Sequence, residues 1–337
     1  MEEIIYLGFR SFEEHSRGVE NVVKVQMEAW SGKKYYISWA EISSIKKYGK
    51  IICISIKKDL FWVLRYLLIL IKLDYKNKYI HAHNGLMLFF TPKKVNIYSV
   101  HDTISYLAKN QKKKFLFIYK FIEFINYTKS KHIHCVSKFT ANQIPSFLKK
   151  KSVIYNVSRF EDRNHLKNNN INIESPRAII IRSIEVRSNL NLIIDFAKAN
   201  KYMHIDVYGK GPLLMDVRQT VANDNLTNII FHGFVNDDEL FKSLTKADIM
   251  IVPALWGEGF GLPVIEAYSL GLKVIASNVC ALPEVIISKN HLFESNLKSL
   301  KYAMDNAIED NTDVKSYYLE NFSKKIILKS YMDLYNL

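Results

Sequence analysis

Residues 253–284 read PALWGEGFGLPVIEAYSLGLKVIASNVCALPE. The apolar run Ile249 to Val252 precedes them and has the length of a buried strand. Glu258 and Glu266 follow, with seven residues between them. Gly259-Phe260-Gly261-Leu262 turns the chain after the first carboxylate, and Pro263 suits the opening turn of a helix that carries the second. Strand, loop and helix N-terminus together leave backbone N–H groups facing an anion. Gly259 and Gly261 allow the backbone close to a ligand. Glu266, one turn into the helix, has the reach to accept hydrogen bonds from two neighbouring hydroxyls, as a ribose presents them.

Outward from this stretch, strands are expected at Ala178–Arg182, Met203–Tyr208, Asn228–His232, Asp248–Val252 and Lys273–Ala276, with helices between them. That alternation predicts a parallel sheet wound on both sides. The first half repeats the pattern less regularly, with strands expected at Ile4–Phe9, Lys34–Trp39, Ile51–Ile56, Tyr79–His83, Val95–Val100, His132–Val136 and Lys151–Asn156. At 337 residues, 48% of them hydrophobic, the chain is long enough for two cores. The boundaries expected are an N-terminal domain at 1–158, a polar linker at 159–176, a second domain at 177–312 and a C-terminal helix at 313–337. Two long apolar stretches remain. Leu60–Leu73 and Gln111–Ser130 read as helices packed mainly in the core, the second with a polar stripe of Lys120, Glu123 and Asn126.

The three cysteines lie far apart and fit no metal spacing, which points to buried thiols in a reducing compartment. The opening MEEIIYLGF has acidic residues where a secretory leader needs basic ones. The net charge of +14 invites nucleic acid, an anionic membrane or an anionic substrate. No nucleic-acid motif accompanies it. Basic residues beside the aromatics of 112–127 keep an interfacial role open.

The stretch 253–284 closely resembles the E-x7-E signature of retaining glycosyltransferases, in particular glycosyltransferase family 4. That resemblance implies an α/β GT-B fold, with two Rossmann-like doubly wound parallel-sheet domains facing a central cleft. It implies transfer of a sugar from a nucleoside diphosphate sugar to a glycan or polyprenyl-linked acceptor with retention of anomeric configuration. UDP-sugars are favoured over GDP-sugars, no cofactor or metal is expected, and the transferred group is a hexosyl or N-acetylhexosaminyl unit. Bacterial surface-polysaccharide assembly, O-antigen or capsule, is the setting it suggests, in the cytoplasm or at the inner face of the membrane.

Residue by residue, the resemblance places Glu258 on the donor sugar and Glu266 on the ribose. His101, after a strand end, meets the family's sugar-contacting histidine and is preferred to His83. Gly18 matches the glycine loop before the first helix, although Arg17 stands where a further glycine is usual. The family places an arginine and a lysine, five apart, on the diphosphate; the aligned residues are Ser183 and Ser188, and Arg182 and Arg187 keep the spacing one position earlier. Arg187, and secondarily Arg182, are therefore expected on the diphosphate. Gly209-Lys210 resembles a turn bordering the nucleotide, and Phe234-Val235 a segment whose backbone meets the base. The alternatives are a non-catalytic nucleotide-sugar-binding subunit, which the serines at 183 and 188 favour, and a GT-B epimerase or phosphorylase.

Overall fold

The structure is a computed structural model that describes residues 3–12, 18–148, 150–163 and 174–336. The chain divides into two compact units, Met1–Asn156 with Lys324–Leu337, and Val157–Ser323. Arg17 and much of the expected linker, 164–173, lie outside the described residues.

The first unit runs β1 (Glu3–Arg10), α1 (Gly18–Glu28), β2 (Lys33–Ala40), β3 (Ser44–Tyr48), β4 (Ile51–Lys57), α2 (Trp62–Lys72), β5 (Tyr79–Ala82), α3 (Gly85–Phe90), β6 (Val95–Val100), α4 (Ile104–Asn110), α5 (Leu116–Thr128), β7 (Ser130–Cys135), α6 (Lys138–Gln143) and β8 (Lys151–Val153). The second runs β9 (Arg177–Ile181), α7 (Leu190–Ala199), β10 (His204–Tyr208), α8 (Leu214–Asn223), β11 (Ile229–Gly233), α9 (Asp237–Lys246), β12 (Ile249–Val252), α10 (Leu262–Ser269), β13 (Lys273–Ser277), α11 (Leu282–Val285), β14 (Leu292–Phe293), α12 (Leu297–Glu309) and α13 (Val314–Asn321). The last helix, α14 (Lys324–Tyr335), belongs to the first unit.

Among the described residues the second unit holds one sheet in the order β11-β10-β9-β12-β13-β14, parallel throughout. This is the Rossmann order, and it reverses direction between β9 and β12. A parallel strand covered by helices on both faces must be apolar along its whole length. Ile249 to Val252 meets that demand, with each residue at most 1% exposed. The first sheet runs β3-β4-β2-β1-β5-β6-β7-β8 and is parallel except for β3, which forms a hairpin with β4. Its order reverses between β1 and β5. The strand β3 has no apolar alternation to mark it in the sequence, because its side chains are largely exposed. β14 is too short to show a period.

The boundary at 159–176 is corrected. Residues 157–163 are part of the second unit: Phe160 is buried, Ser158 Oγ lies 2.7 Å from Ser269 Oγ, and Tyr318 donates to Glu161 at 2.6 Å. Tyr318 sits on α13, so that helix stays with the second unit and α14 alone joins the first.

Two helices differ from their expected packing. α5 turns two residues of its polar stripe inward: Glu123 and Asn126 are buried while Lys120 is exposed, and the Asn126 amide donates to the Gly85 carbonyl at 3.0 Å. Its apolar face, Phe117, Ile118, Phe121 and Phe124, is exposed. α2 buries Tyr66 and Leu70 and exposes Leu64, Leu68 and Ile71. Among the described residues no helix is long and apolar enough to cross a membrane.

The attachment of α14 to the first sheet is polar at its centre. His134 Nε2 lies 3.0 Å from the Ile154 carbonyl, which only accepts, so Nε2 carries the proton and Nδ1 accepts. Ser99 Oγ, 2.6 Å from that Nδ1, must donate to it and can only accept from His81 Nε2 at 2.7 Å. His81 Nδ1 then accepts from Tyr335 of α14 at 2.9 Å, and Tyr335 accepts from Tyr6 at 3.0 Å, in place of the Gln26 carbonyl 3.3 Å from the same hydroxyl. With both imidazoles neutral, as their burial favours, this is the direction that serves the Ile154 carbonyl. Burial pushes the His81 pKa well down and that of His134 to about 4.

Tyr335→Phe removes one link and leaves the buried His81 nitrogen without a donor. The expected loss is about 1–3 kcal/mol, read by chemical denaturation. Acid acts on the same wire. The unfolded chain takes up a proton on His134 near the ordinary value and the folded chain only near 4. Stability therefore falls as pH drops from about 6.5 toward 4, by about 1.4 kcal/mol per pH unit for a single histidine. Calorimetric melting at pH 7 and pH 5 checks this, and an unchanged midpoint contradicts it.

Candidate functional site

Open parallel sheets bind ligands at the carboxyl ends of the strands where the order reverses. In the second unit those ends are Arg182, after β9, and residues 253–261, after β12. Both Glu258 and Glu266 therefore lie at or just beyond the switch point. Gly261 caps α10 with φ +100°, a backbone region that side-chain-bearing residues avoid, and a Cβ there would come within 2.9 Å of Leu282. The downstream Leu-Pro-Glu segment is thus the packing wall of the glycine turn. The Ala281 amide donates to the Glu258 carbonyl at 3.1 Å and ties the two segments.

Glu266 is 6% exposed, and burial raises its pKa, partly offset by the Arg159 guanidinium. Arg159 Nε lies 3.0 Å from Glu266 Oε1, and its Nη1 donates to Asp237 at the start of α9 at 2.8 Å. The guanidinium also sits 4.8 Å from the Phe160 ring centre. Sequence reasoning missed Arg159, which it placed in the linker. The signal available was an arginine beside an aromatic at the first residues of the second unit.

Arg182 donates to Glu258 Oε1 at 2.6 Å and is itself buried. This residue, expected on the diphosphate, has its guanidinium on the neighbouring carboxylate. Gly209 makes that geometry possible: a Cβ there would meet the Arg182 carbonyl oxygen at 1.7 Å, so β9 and β10 approach only with glycine. Arg187 reaches the same segment, donating to the Gly257 carbonyl at 2.7 Å and to Glu185 at 2.9 Å, and remains partly exposed. Ser188 caps this loop by donating to the Ser183 carbonyl. The two serines thus shape the loop that presents Arg187.

Lys210 stands over the exposed Phe234 ring at 5.1 Å, and the Gly209 amide donates to the Gly233 carbonyl at 2.7 Å. These contacts bring the two expected nucleotide-border segments, 209–210 and 234–235, side by side. Gly259 and Phe260 lie in the β12–α10 turn and Leu262 opens α10, Phe260 being buried on Phe322 at 6.2 Å.

His101 and Gly18 belong to the first unit. Gly18 opens α1. His101 Nε2 is 2.9 Å from His83 Nδ1, and burial lowers the pKa of both, His101 to about 3. His83, the less favoured histidine, stands at the switch point of the first sheet, its amide donating to Leu7 of β1 at 2.8 Å. Strand order, invisible in the sequence, makes this distinction. Among the described residues no group of three or more His, Cys, Asp or Glu side chains converges as a metal site.

Arg159→Ala leaves Glu266 buried without its cation. Breaking such a pair costs about 3–5 kcal/mol. Thermal unfolding should show a large drop, and Arg159→Ala with Glu266→Gln should recover part of it. Equal stability of the single and double variants contradicts the pairing.

Residues 161–325 match the family model described as "Glycosyl transferases group 1". An uncharacterized glycosyltransferase, MJ1178, of Methanocaldococcus jannaschii is 27% identical over 194 residues, 57% of this chain and 51% of that protein. The serotype-specific mannosyltransferase WbdA of Escherichia coli is 31% identical over 102 residues, 29% of this chain and 12% of that protein. These matches thus cover about half or less of the curated relatives' length. The solved structure of Anabaena Alr3699/HepE, in complex with UDP and glucose, superposes with a TM-score of 0.75 over 100% of both chains at 14% identity. The chain therefore has the two-domain GT-B fold of glycosyltransferases, and its second unit matches the family of glycosyl transferases group 1.

Proposed function

We propose that the protein is a retaining, metal-independent glycosyltransferase that moves a hexosyl or N-acetylhexosaminyl group from a nucleoside diphosphate sugar, UDP-linked before GDP-linked, to a glycan or polyprenyl-linked acceptor in surface-polysaccharide assembly. The observation that carries the reading is the pair of carboxylates at the Rossmann switch point, each oriented by its own arginine. The mannosyltransferase relative and the UDP-bound structural neighbour support the reaction class and the donor class.

In this reading Glu266, its Oε1 held by Arg159, offers Oε2 to the ribose hydroxyls. Arg182 aims Glu258 at hydroxyls of the donor sugar. Arg187, with amides of the 259–262 turn, stabilises the charge that develops on the departing diphosphate. Lys210, Phe234 and Val235 border the base. With no carboxylate nucleophile required, attack proceeds on the face the diphosphate leaves.

The exposed phenylalanine face of α5, beside Lys112, Lys113 and Lys114, supports peripheral attachment to an anionic membrane that carries the acceptor. A non-catalytic nucleotide-sugar-binding subunit is the second reading, favoured by the serines at 183 and 188 and by the internal pairing of both arginines.

A thermal-shift screen against nucleoside diphosphates and their sugars tests the donor site. A ligand at a hundredfold excess over its Kd adds about 2.7 kcal/mol of stability. The expected result is a shift with uridine nucleotides that Glu266→Ala abolishes; no shift with any nucleotide sinks the reading. Arg187→Ala should lower kcat by about 10²–10³-fold with little change in KM. Nucleotide binding without transfer to any acceptor selects the second reading. Phe117→Asp with Phe121→Asp should abolish co-sedimentation with anionic vesicles and leave nucleotide binding intact.

A further inference from the structure

The first unit carries a basic concavity of about 530 Å³ at the edge of its sheet remote from His83 and His101. Lys76, Lys78, Lys93, Lys94 and Lys131 line it, against one carboxylate, Glu3. Parallel topology assembles it. β5, β6 and β7 are neighbours and all begin at the same edge, so Lys78 before β5, Lys94 before β6 and Lys131 at the start of β7 converge although far apart in sequence.

The lysines differ in how they are held. Lys93 donates to the carbonyls of Lys76 and Lys78 at 2.8 and 3.2 Å, so its charge is fixed in the wall. Burial and the nearby Lys131 lower its pKa, partly offset by Asp74. Lys78 pairs with Glu3, which also takes Lys33 at 3.3 Å. Among the described residues no carboxylate comes within ion-pair distance of the Lys76, Lys94 or Lys131 ammonium groups. Like charges crowded into a concavity repel, and a multivalent anion relieves that repulsion. Lysine ammoniums, with three donors on a flexible stem, suit a compact anion that accepts from several directions.

We propose that this concavity is a second anion site, distinct from the donor site, that binds a phosphate-bearing group of two or more negative charges. A free diphosphate and the phosphomonoester headgroup of a lipid share that chemistry.

Lysine-resolved acetylation of the full chain, quantified by mass spectrometry in about 0.15 M salt, tests it. The probes are inorganic pyrophosphate, phosphatidylcholine vesicles containing phosphatidic acid, and vesicles of phosphatidylcholine alone. Pyrophosphate is expected to protect Lys76, Lys94 and Lys131 several-fold and to leave the exposed Lys246 unchanged. The site-by-site readout separates this from any pyrophosphate bound at the donor site. Lys94→Glu with Lys131→Glu, both on exposed side chains, should abolish protection at Lys76 and retain the nucleotide thermal shift. Protection only by the phosphatidic acid vesicles assigns the site to a lipid headgroup. Protection by neither probe, or equal protection at Lys246, overturns the proposal.

Discussion

The carboxylate of Glu266 lies almost wholly out of water, and a charge in that position persists only if it is paired. Arg159 supplies the partner from residues just after the crossing between the units, and Asp237 at the head of α9 holds the other side of the guanidinium. One ion pair therefore links the entry of the second unit, the start of α9 and the first turns of α10. Glu258 repeats the solution with Arg182, from the end of β9. Both carboxylates are thereby oriented before any ligand arrives, and Gly209 and Gly261 allow the backbone approaches that this needs.

The first unit is organised by a different constraint. Its C-terminal helix returns to the sheet through a buried hydrogen-bond chain that ends on the Ile154 carbonyl. Burial keeps the two histidines in it neutral. Tyr335 packs edge-on against Trp30 at 5.4 Å, and Lys324 pairs with Glu28 at 2.9 Å, which pins both ends of α14 to the neighbourhood of α1. The outward-facing phenylalanines of α5 follow from the same logic of polar satisfaction. Glu123 and Asn126 have partners in the interior, so the helix buries them and turns its apolar side out.

Much of the second unit was legible in the sequence. The apolar run 249–252, the glycine turn and the two spaced glutamates place a strand, a loop and a helix without ambiguity, because a doubly covered parallel strand and a glycine at positive φ leave strong residue signatures. The strand β3 left no such mark, since exposed side chains carry no period. The packing of α2 and α5 was misread for a related reason: amphipathicity gives the stripe of a helix but not which side of the stripe meets the protein.

By itself the sequence determined the α/β class, the two-unit organisation and the candidate carboxylates, because each rests on local periodicity, turn chemistry or spacing. Tertiary structure alone decided the partners. That Arg159 serves Glu266, that Arg182 serves Glu258 while Arg187 stays partly exposed, and that His83 rather than His101 stands at the switch point depend on strand order and on side chains up to about a hundred residues apart. The compensation of a buried charge is satisfied in space, and no spacing along the chain encodes which distant cation will provide it.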